Sequence, residues 1–381
     1  MGDIDRPDWS GRLRRVWRTP PADVSALVVS SPANIKYLSG FDGSAGLLLT
    51  SPGRTWLLVD GRYDRSARLA RAAGHLADVE IATLTGSFER RLCTLMSELN
   101  PGPIGFEARN VTVASLQIWE RVCSERRFVA TTNWIEHLRI LKDSAELHAI
   151  RRACAVTADV ARDLRRWVRE GRTEREIAKD IDDAMGRAGA TRPAFETIVA
   201  SGPNSALPHA RPTDRRLQHG DLVVLDFGGV LDGYCGDLTR MAGVGEVTAE
   251  ARGLFEAVRA AQVAALAAVR AEALVFEVDA AARRVLTNHG FGDAILHATG
   301  HGLGMEVHEA PRLGRRSESN DDSSGDPSAR EVDRLAAGMV CTIEPGAYVE
   351  GIGGVRLEDD IVVTDGGCEV LTEAPRDLLL V

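Results

Sequence analysis

Residues 222–240 read LVVLDFGGVLDGYCGDLTR, and the way this stretch folds governs the rest of the chain. Val223, Val224 and Leu225 form an apolar, largely β-branched run, and Asp232-Gly233 is a strong short-range hairpin signal. Centring a turn on that pair sets Asp237 opposite Gly228. Asp226 and Gly228 lie two residues apart on one strand and so share a face. The two carboxylates then become diagonal cross-strand neighbours within reach of one object. Like charges held on one buried face are unfavourable unless a cation sits between them. Two solvated turn aspartates are the alternative, and this stretch alone does not choose between them.

The composition sets the frame. At 381 residues the chain is long for one core, so two domains are expected. It is 44% hydrophobic and 27% charged, as in ordinary globular proteins, and its net charge of −9 argues against a nucleic-acid groove. The first residues, MGDIDRPDWSGRLRRVW, hold no apolar h-region, so no signal peptide is expected, and no run approaches a membrane span. Cys93, Cys123, Cys154, Cys235, Cys341 and Cys368 lack CxxC spacing and read as free thiols of a reducing compartment, which points to a soluble cytoplasmic protein.

Residues 1–137 read as a smaller α/β domain. Apolar runs at 25–29 and 79–82, a hairpin over 46–60 around Pro52-Gly53, and helical spacing over 64–73 and 88–99 alternate along it. The polar cluster Asp60-Gly61-Arg62-Tyr63 reads as a strand-ending turn, and His75 as a surface or capping residue.

Residues 138–381 read as a second domain. Ser144 is the expected N-cap of a helix whose stripe runs from Leu147 to Val168 and stops at Gly171. Thr173 and Glu176 fit a capping box opening a second helix that ends near Gly189. A strand over 195–200, a loop to His209 and the aspartate hairpin follow. The same order then recurs: helices over 249–270 and 277–288, a Gly/His loop over 297–304, and strands over 339–343 and 355–363. Two helices followed by acid-bearing strands, twice over, suggest an internal repeat. The Ser/Asp-rich stretch 317–328 reads as a mobile surface loop.

Further residues join the two aspartates. His301 sits among glycines in TGHGLG, and His308 lies in VHEAP. Glu344 follows an apolar strand, and Glu358 lies between Leu357 and Ile361-Val362-Val363, where an unpaired acid is costly. A lone buried histidine is usually a hydrogen-bonded core residue, and a strand glutamate can face solvent. Their joint placement on strands and Gly loops of a repeated half is harder to explain that way. Asp226, Asp237, Glu344 and Glu358 bring four negative charges, which two divalent cations would balance. Four carboxylates and one imidazole favour manganese, with cobalt, iron or zinc as alternatives. Paired cations about 3.5–4 Å apart support metal-assisted hydrolysis.

The set Asp226, Asp237, His301, Glu344, Glu358 resembles the five-ligand site of the pita-bread metallopeptidases, in order and across nearly the whole chain. LDFGGVLDGYCGDLTR, HATGHGLGMEVHEAP and MVCTIEPGAYVEGIGGVRLEDD resemble the proline-peptidase branch (aminopeptidase P and prolidase). SPANIKYLSGFDGSAG and VDGRYD resemble its creatinase-like N-terminal domain. The resemblance implies an α+β fold, a pita-bread catalytic domain with a smaller α/β N-terminal domain. It implies an Xaa-Pro aminopeptidase or Xaa-Pro dipeptidase acting on peptides with proline second, and a homodimer.

By the same resemblance, Asp226 would chelate one metal, Asp237 and Glu358 would bridge both, and His301 and Glu344 would complete the second. Glu344 would also take the proton of the nucleophilic water. His209 and His308 would hold the scissile carbonyl and stabilise the tetrahedral intermediate, His297 would be a further pocket histidine, and Arg356 would position substrate or support the metal ligands. A non-catalytic or creatinase-like relative and a methionine aminopeptidase are the competing readings. The first two typically lose ligands that this chain keeps, and the last lacks the N-terminal domain. Residues 317–328 depart from the family pattern and leave every ligand intact.

Overall fold

The computed structural model describes residues 6–21, 23–84, 86–99, 102–316 and 332–381, so the stretch 317–328 lies outside the described residues. The described chain divides into two units, residues 6–139 and residues 140–316 with 332–381.

In the larger unit, Asp232 and Gly233 have φ of 53° and 87°, as a two-residue hairpin turn of type I′ requires. Leu231 pairs with Tyr234, Val230 with Cys235, Phe227 with Leu238 and Asp226 with Thr239. One register therefore runs through the whole hairpin, and it sets Gly228 opposite Asp237. Asp237 is two residues from Thr239, so Asp226 and Asp237 share a face, as expected.

At that point the hairpin changes sheets. Leu222–Phe227 and Leu238–Gly243 lie in a four-stranded sheet with Ile198–Ser201 and Leu379–Leu380. Gly229–Leu231 and Tyr234–Cys235 lie in a three-stranded one with Arg192–Pro193. The strands approach so closely at the bend that a Cβ on Gly228 would lie 2.0 Å from the Gly236 carbonyl oxygen.

A second hairpin repeats the device. Val340–Ile343 continues as Gly346–Val349, and Gly353–Arg356 as Asp359–Val363. Ile343 pairs with Asp359 and Gly346 with Arg356, so Glu344 stands opposite Glu358 at the break. The sequence predicts one strand over 355–363, whereas the structure holds two. Apolar alternation continues across residues 357–358, but the Leu357 and Glu358 amides turn to the carbonyls of Pro345 and Thr239.

The helices Ser144–Arg162, Glu174–Arg187, Ala249–Ala268 and Val275–Asn288 back the sheets. Leu222 and Val224 pack with Val258, Ala261 and Ala265, while Val223, Leu225 and Phe227 pack with Ile177, Ile181 and Met185. Asp226 thus lies on the Leu222–Val224 face of a strand that is apolar on both sides. Two expected boundaries are corrected. The first helix is capped by Asp143, not Ser144, because Asp143 and Glu146 exchange capping-box bonds. It ends at Arg162, well before Gly171, and a 3-10 turn over Leu164–Arg166 carries the buried stripe onward to Val168.

In the smaller unit a six-stranded mixed sheet runs in the order Glu80–Thr83, Arg54–Val59, Leu47–Ser51, Ala26–Val29, Ile104–Glu107, Phe128–Thr131. The last two strands and the helix Val113–Val122 are not among the expected elements. Asp60 does more than end a strand: its carboxylate accepts from the Arg62 amide and caps the helix Gly61–Ala72.

Candidate metal centre

The sheet-changing points of both hairpins bring their acids together. One oxygen each of Asp237 and Glu358 and a ring nitrogen of His301 lie within 4.8 Å of one another. His301 Nε2 stands 3.5 Å from Glu344 Oε1 and 3.9 Å from Asp237 Oδ2. The opposite ring nitrogen, Nδ1, lies 3.0 Å from the Gly302 carbonyl, which accepts only from an N–H. The Nε2 lone pair therefore faces carboxylate oxygens, acceptor against acceptor, an arrangement that a cation between them relieves. Burial holds the His301 pKa down to about 4, so the ring is neutral.

Asp226 joins through Arg356, whose guanidinium donates to Asp226 Oδ2 at 2.5 Å. The same buried guanidinium reaches the Tyr348 hydroxyl (2.6 Å), Thr239 Oγ1 (3.1 Å) and the Pro208 carbonyl (3.1 Å). Thr239 in turn donates to Glu358 Oε2 at 2.6 Å. One oxygen each of Asp226 and Glu358 is thus fixed by a protein donor, as expected of an oriented ligand shell. The other oxygens Asp226 Oδ1 and Asp237 Oδ1 are buried with no hydrogen-bond partner. A buried carboxylate oxygen without a partner is costly, and a cation bound beside these two would offset that cost.

The electrostatics agree. Burial, then the neighbouring acids, push Asp237 and Glu358 well above the carboxylate range, and burial lifts Glu344 to about 8. Asp360, not among the expected site residues, is pushed up to about 8 in the same way. Its Oδ2 accepts from the Asp237 amide (2.8 Å) and the Cys154 thiol (3.2 Å), so it holds the bend that carries Asp237. With all five ionised, the carboxylates of Asp226, Asp237, Glu344, Glu358 and Asp360 beside the Arg356 guanidinium leave four negative charges, the balance of two divalent cations. The residues fit such a group.

The three other histidines take different positions. His308 stacks edge-on against His301, with ring centroids 4.4 Å apart. Burial lowers the pKa values of His297 and His308, and the exposed His209 lies near enough to add to that lowering in both. His297 is engaged at both nitrogens, Nδ1 with the Ala298 carbonyl and Nε2 with the Tyr348 hydroxyl, each at 2.8 Å, and Nδ1 stands 3.8 Å from Glu344. Tyr348 carried no signal in the sequence, whereas Asp360 had one: it belongs to a run of three acids in an apolar strand.

Residues 148–365 match the metallopeptidase family M24, and residues 20–141 match the creatinase/prolidase N-terminal domain. The chain belongs to metallopeptidase family M24. An uncharacterized peptidase of Bacillus subtilis is 33% identical over 94% of this chain and 96% of its own. The solved Xaa-Pro dipeptidase from Bacillus anthracis superposes with a TM-score of 0.89 at 31% identity, covering 98% of this chain and 100% of that one. An X-Pro aminopeptidase from Thermotoga maritima gives 0.83 at 31% identity, over 94% and 98%. The expected α+β pita-bread domain with a creatinase-like N-terminal domain is therefore what this peptidase has. The family implies divalent metal ions and peptide substrates. No helix among the described residues is long and apolar enough to cross a membrane.

Proposed function

We propose that this peptidase hydrolyses the bond between the first residue of a peptide and a proline in second position, as a cytoplasmic homodimer. Residues 1–137 form its creatinase-like N-terminal domain and residues 138–381 its catalytic domain. The observation that carries the reading is the convergence of Asp237, His301 and Glu358 beside unpartnered oxygens of Asp226 and Asp237, in a chain of this family. Asp226, Asp237, His301, Glu344 and Glu358 would hold two divalent ions, manganese by their oxygen-rich chemistry. Bound there, such ions supply Lewis acidity and a lowered pKa for water.

The chain's own groups do the rest. Glu344 accepts the proton of the attacking water as its oxygen bonds to the scissile carbonyl carbon. The proton then passes to the proline nitrogen as the C–N bond breaks. His209 and His308 donate to the developing oxyanion. His297, fixed by Tyr348, stands 3.8 Å from Glu344 as a wall of the substrate pocket, and Arg356 holds one oxygen of Asp226 in place.

Release of the N-terminal residue from Xaa-Pro and Xaa-Pro-Yaa peptides is expected with added manganese and not after chelation. No metal-dependent release from either would overturn the reading. The relative rates on the two lengths separate dipeptidase from aminopeptidase.

A further inference from the structure

Glu174 is the first residue of the helix Glu174–Arg187 and is completely buried, yet it is remote in sequence from every residue of the metal centre. Its carboxylate collects more donors than any cap requires. Oε1 accepts from the Ser201 amide and hydroxyl, both at 2.7 Å, and from Asn204 Nδ2 at 3.0 Å. Oε2 accepts from the Thr213 amide at 2.9 Å, the Thr213 hydroxyl at 2.6 Å and Asn204 Nδ2 at 3.1 Å. The helix's own free amides add to this, Glu174 N–H to the Arg215 carbonyl and Arg175 N–H to the Thr213 carbonyl, each at 3.1 Å.

Ser201 and Thr213 are the two stems of one loop, and its apex is Pro208-His209. The apex meets the centre, because the Pro208 carbonyl accepts from Arg356, the residue that grips Asp226. His209 itself is exposed, and no hydrogen bond to a described residue holds its ring. What places it is the loop, and the Glu174 carboxylate ties the two stems together, beside the Arg215 guanidinium, which donates to Ser201 Oγ at 2.7 Å. The negative charge also sits at the positive end of a helix, which favours the ionised form that takes all these donors.

We propose that Glu174 is a positioning residue for His209, closing the 202–213 loop so that the imidazole is presented to the substrate carbonyl. The proposal rests on the Xaa-Pro peptidase reading. A glutamine there keeps the shape but turns an amide NH2 toward donors and offers one acceptor oxygen, so the stems part. A displacement of about 1 Å at such a group costs on the order of 100-fold in rate.

The test is a double-mutant cycle of Glu174→Gln and His209→Ala on the full-length enzyme, with metal content and hydrogen exchange read alongside. E174Q is expected to lower kcat/KM by about 10- to 100-fold in the wild-type background and by less than about 3-fold once His209 is absent. Metal content should stay unchanged. Exchange should quicken in peptides covering 202–213 and not in those covering 222–243. Equal losses in both backgrounds, or unaltered exchange in the loop, would overturn the proposal. Should E174Q fail to fold, Glu174→Asp carries the same cycle with the charge kept and the reach shortened. If wild-type enzyme releases nothing from Xaa-Pro peptides, the functional reading has failed, and the exchange comparison still decides whether Glu174 closes the loop.

Discussion

Gly228 offers a sharp perturbation of the metal centre, because it touches no substrate and bears no charge. It lies where the first hairpin changes sheets, directly opposite Asp237. A Cβ there would lie 2.0 Å from the Gly236 carbonyl oxygen and 3.1 Å from the Phe195 ring. Real carbon–oxygen contacts are longer by more than an ångström, and the obstacle is backbone, so the two strands must separate by about 1 Å. That shift moves Asp237 away from Asp226, Glu358 and His301. Overpacking of this kind costs about 1–3 kcal/mol of stability, and a 1 Å misplacement costs about 100-fold in activity. Gly229 is the control next door, since its Cβ would meet side chains and no backbone: the far end of Met185, 2.2 Å away at Cε, and the Ala190 Cβ at 3.1 Å. Gly228→Ala should therefore lose about 100-fold in kcat/KM on an Xaa-Pro peptide at saturating manganese while remaining folded by circular dichroism. Gly229→Ala should stay within a few-fold of wild type. Equal activity in the two variants would refute the claim that the strand spacing at residue 228 sets the aspartate geometry.

Lys142 Nζ lies 3.3 Å from Glu309 Oε2 with 1% and 7% of the two side chains exposed, so Lys142→Met should cost about 3–5 kcal/mol. Adding Glu309→Gln should recover part of it in denaturant melts, and an additive double mutant would count against the pairing. Chelation should lower the melting temperature, because the buried acids lose their counter-charge, and added manganese should restore it; a melting curve indifferent to both would argue against an ion in this cluster. Burial alone would raise the pKa of Glu174, but bonds from Thr213 and Ser201 outweigh it and hold the group below its ordinary 4.5. A folded-state pKa below the unfolded one gives stability that is present above about pH 4.5 and lost as pH falls through the folded value. Wild type should therefore lose stability more steeply than E174Q on going from about pH 5 to pH 3, and parallel slopes would contradict the assignment.

Much of the site was legible because it rests on short-range chemistry. Asp232-Gly233 fixes the turn type through positive φ, the turn fixes the register, and the register puts Asp226 and Asp237 on one face. The capping box at Thr173 and Glu176 located the helix that opens with Glu174, because both partners lie within one turn. What could not be read was the change of sheet at residues 228 and 237 and again at 344 and 358. Across residues 357–358 the apolar alternation runs on unbroken, and at the other points glycine or proline marks an interruption without naming the new partner strand.

The sequence by itself thus determined most of the catalytic unit's elements, the register of the first hairpin and the inventory of ligand-type side chains, all set by local sterics and periodicity. The tertiary structure alone decided which of those side chains meet. Glu358 faces Thr239, Asp360 holds the Asp237 amide, and Glu174 closes a loop whose ends lie 27 and 39 residues away along the chain. Such contacts depend on how strands exit one sheet and enter another, and residue spacing along the chain carries no record of that.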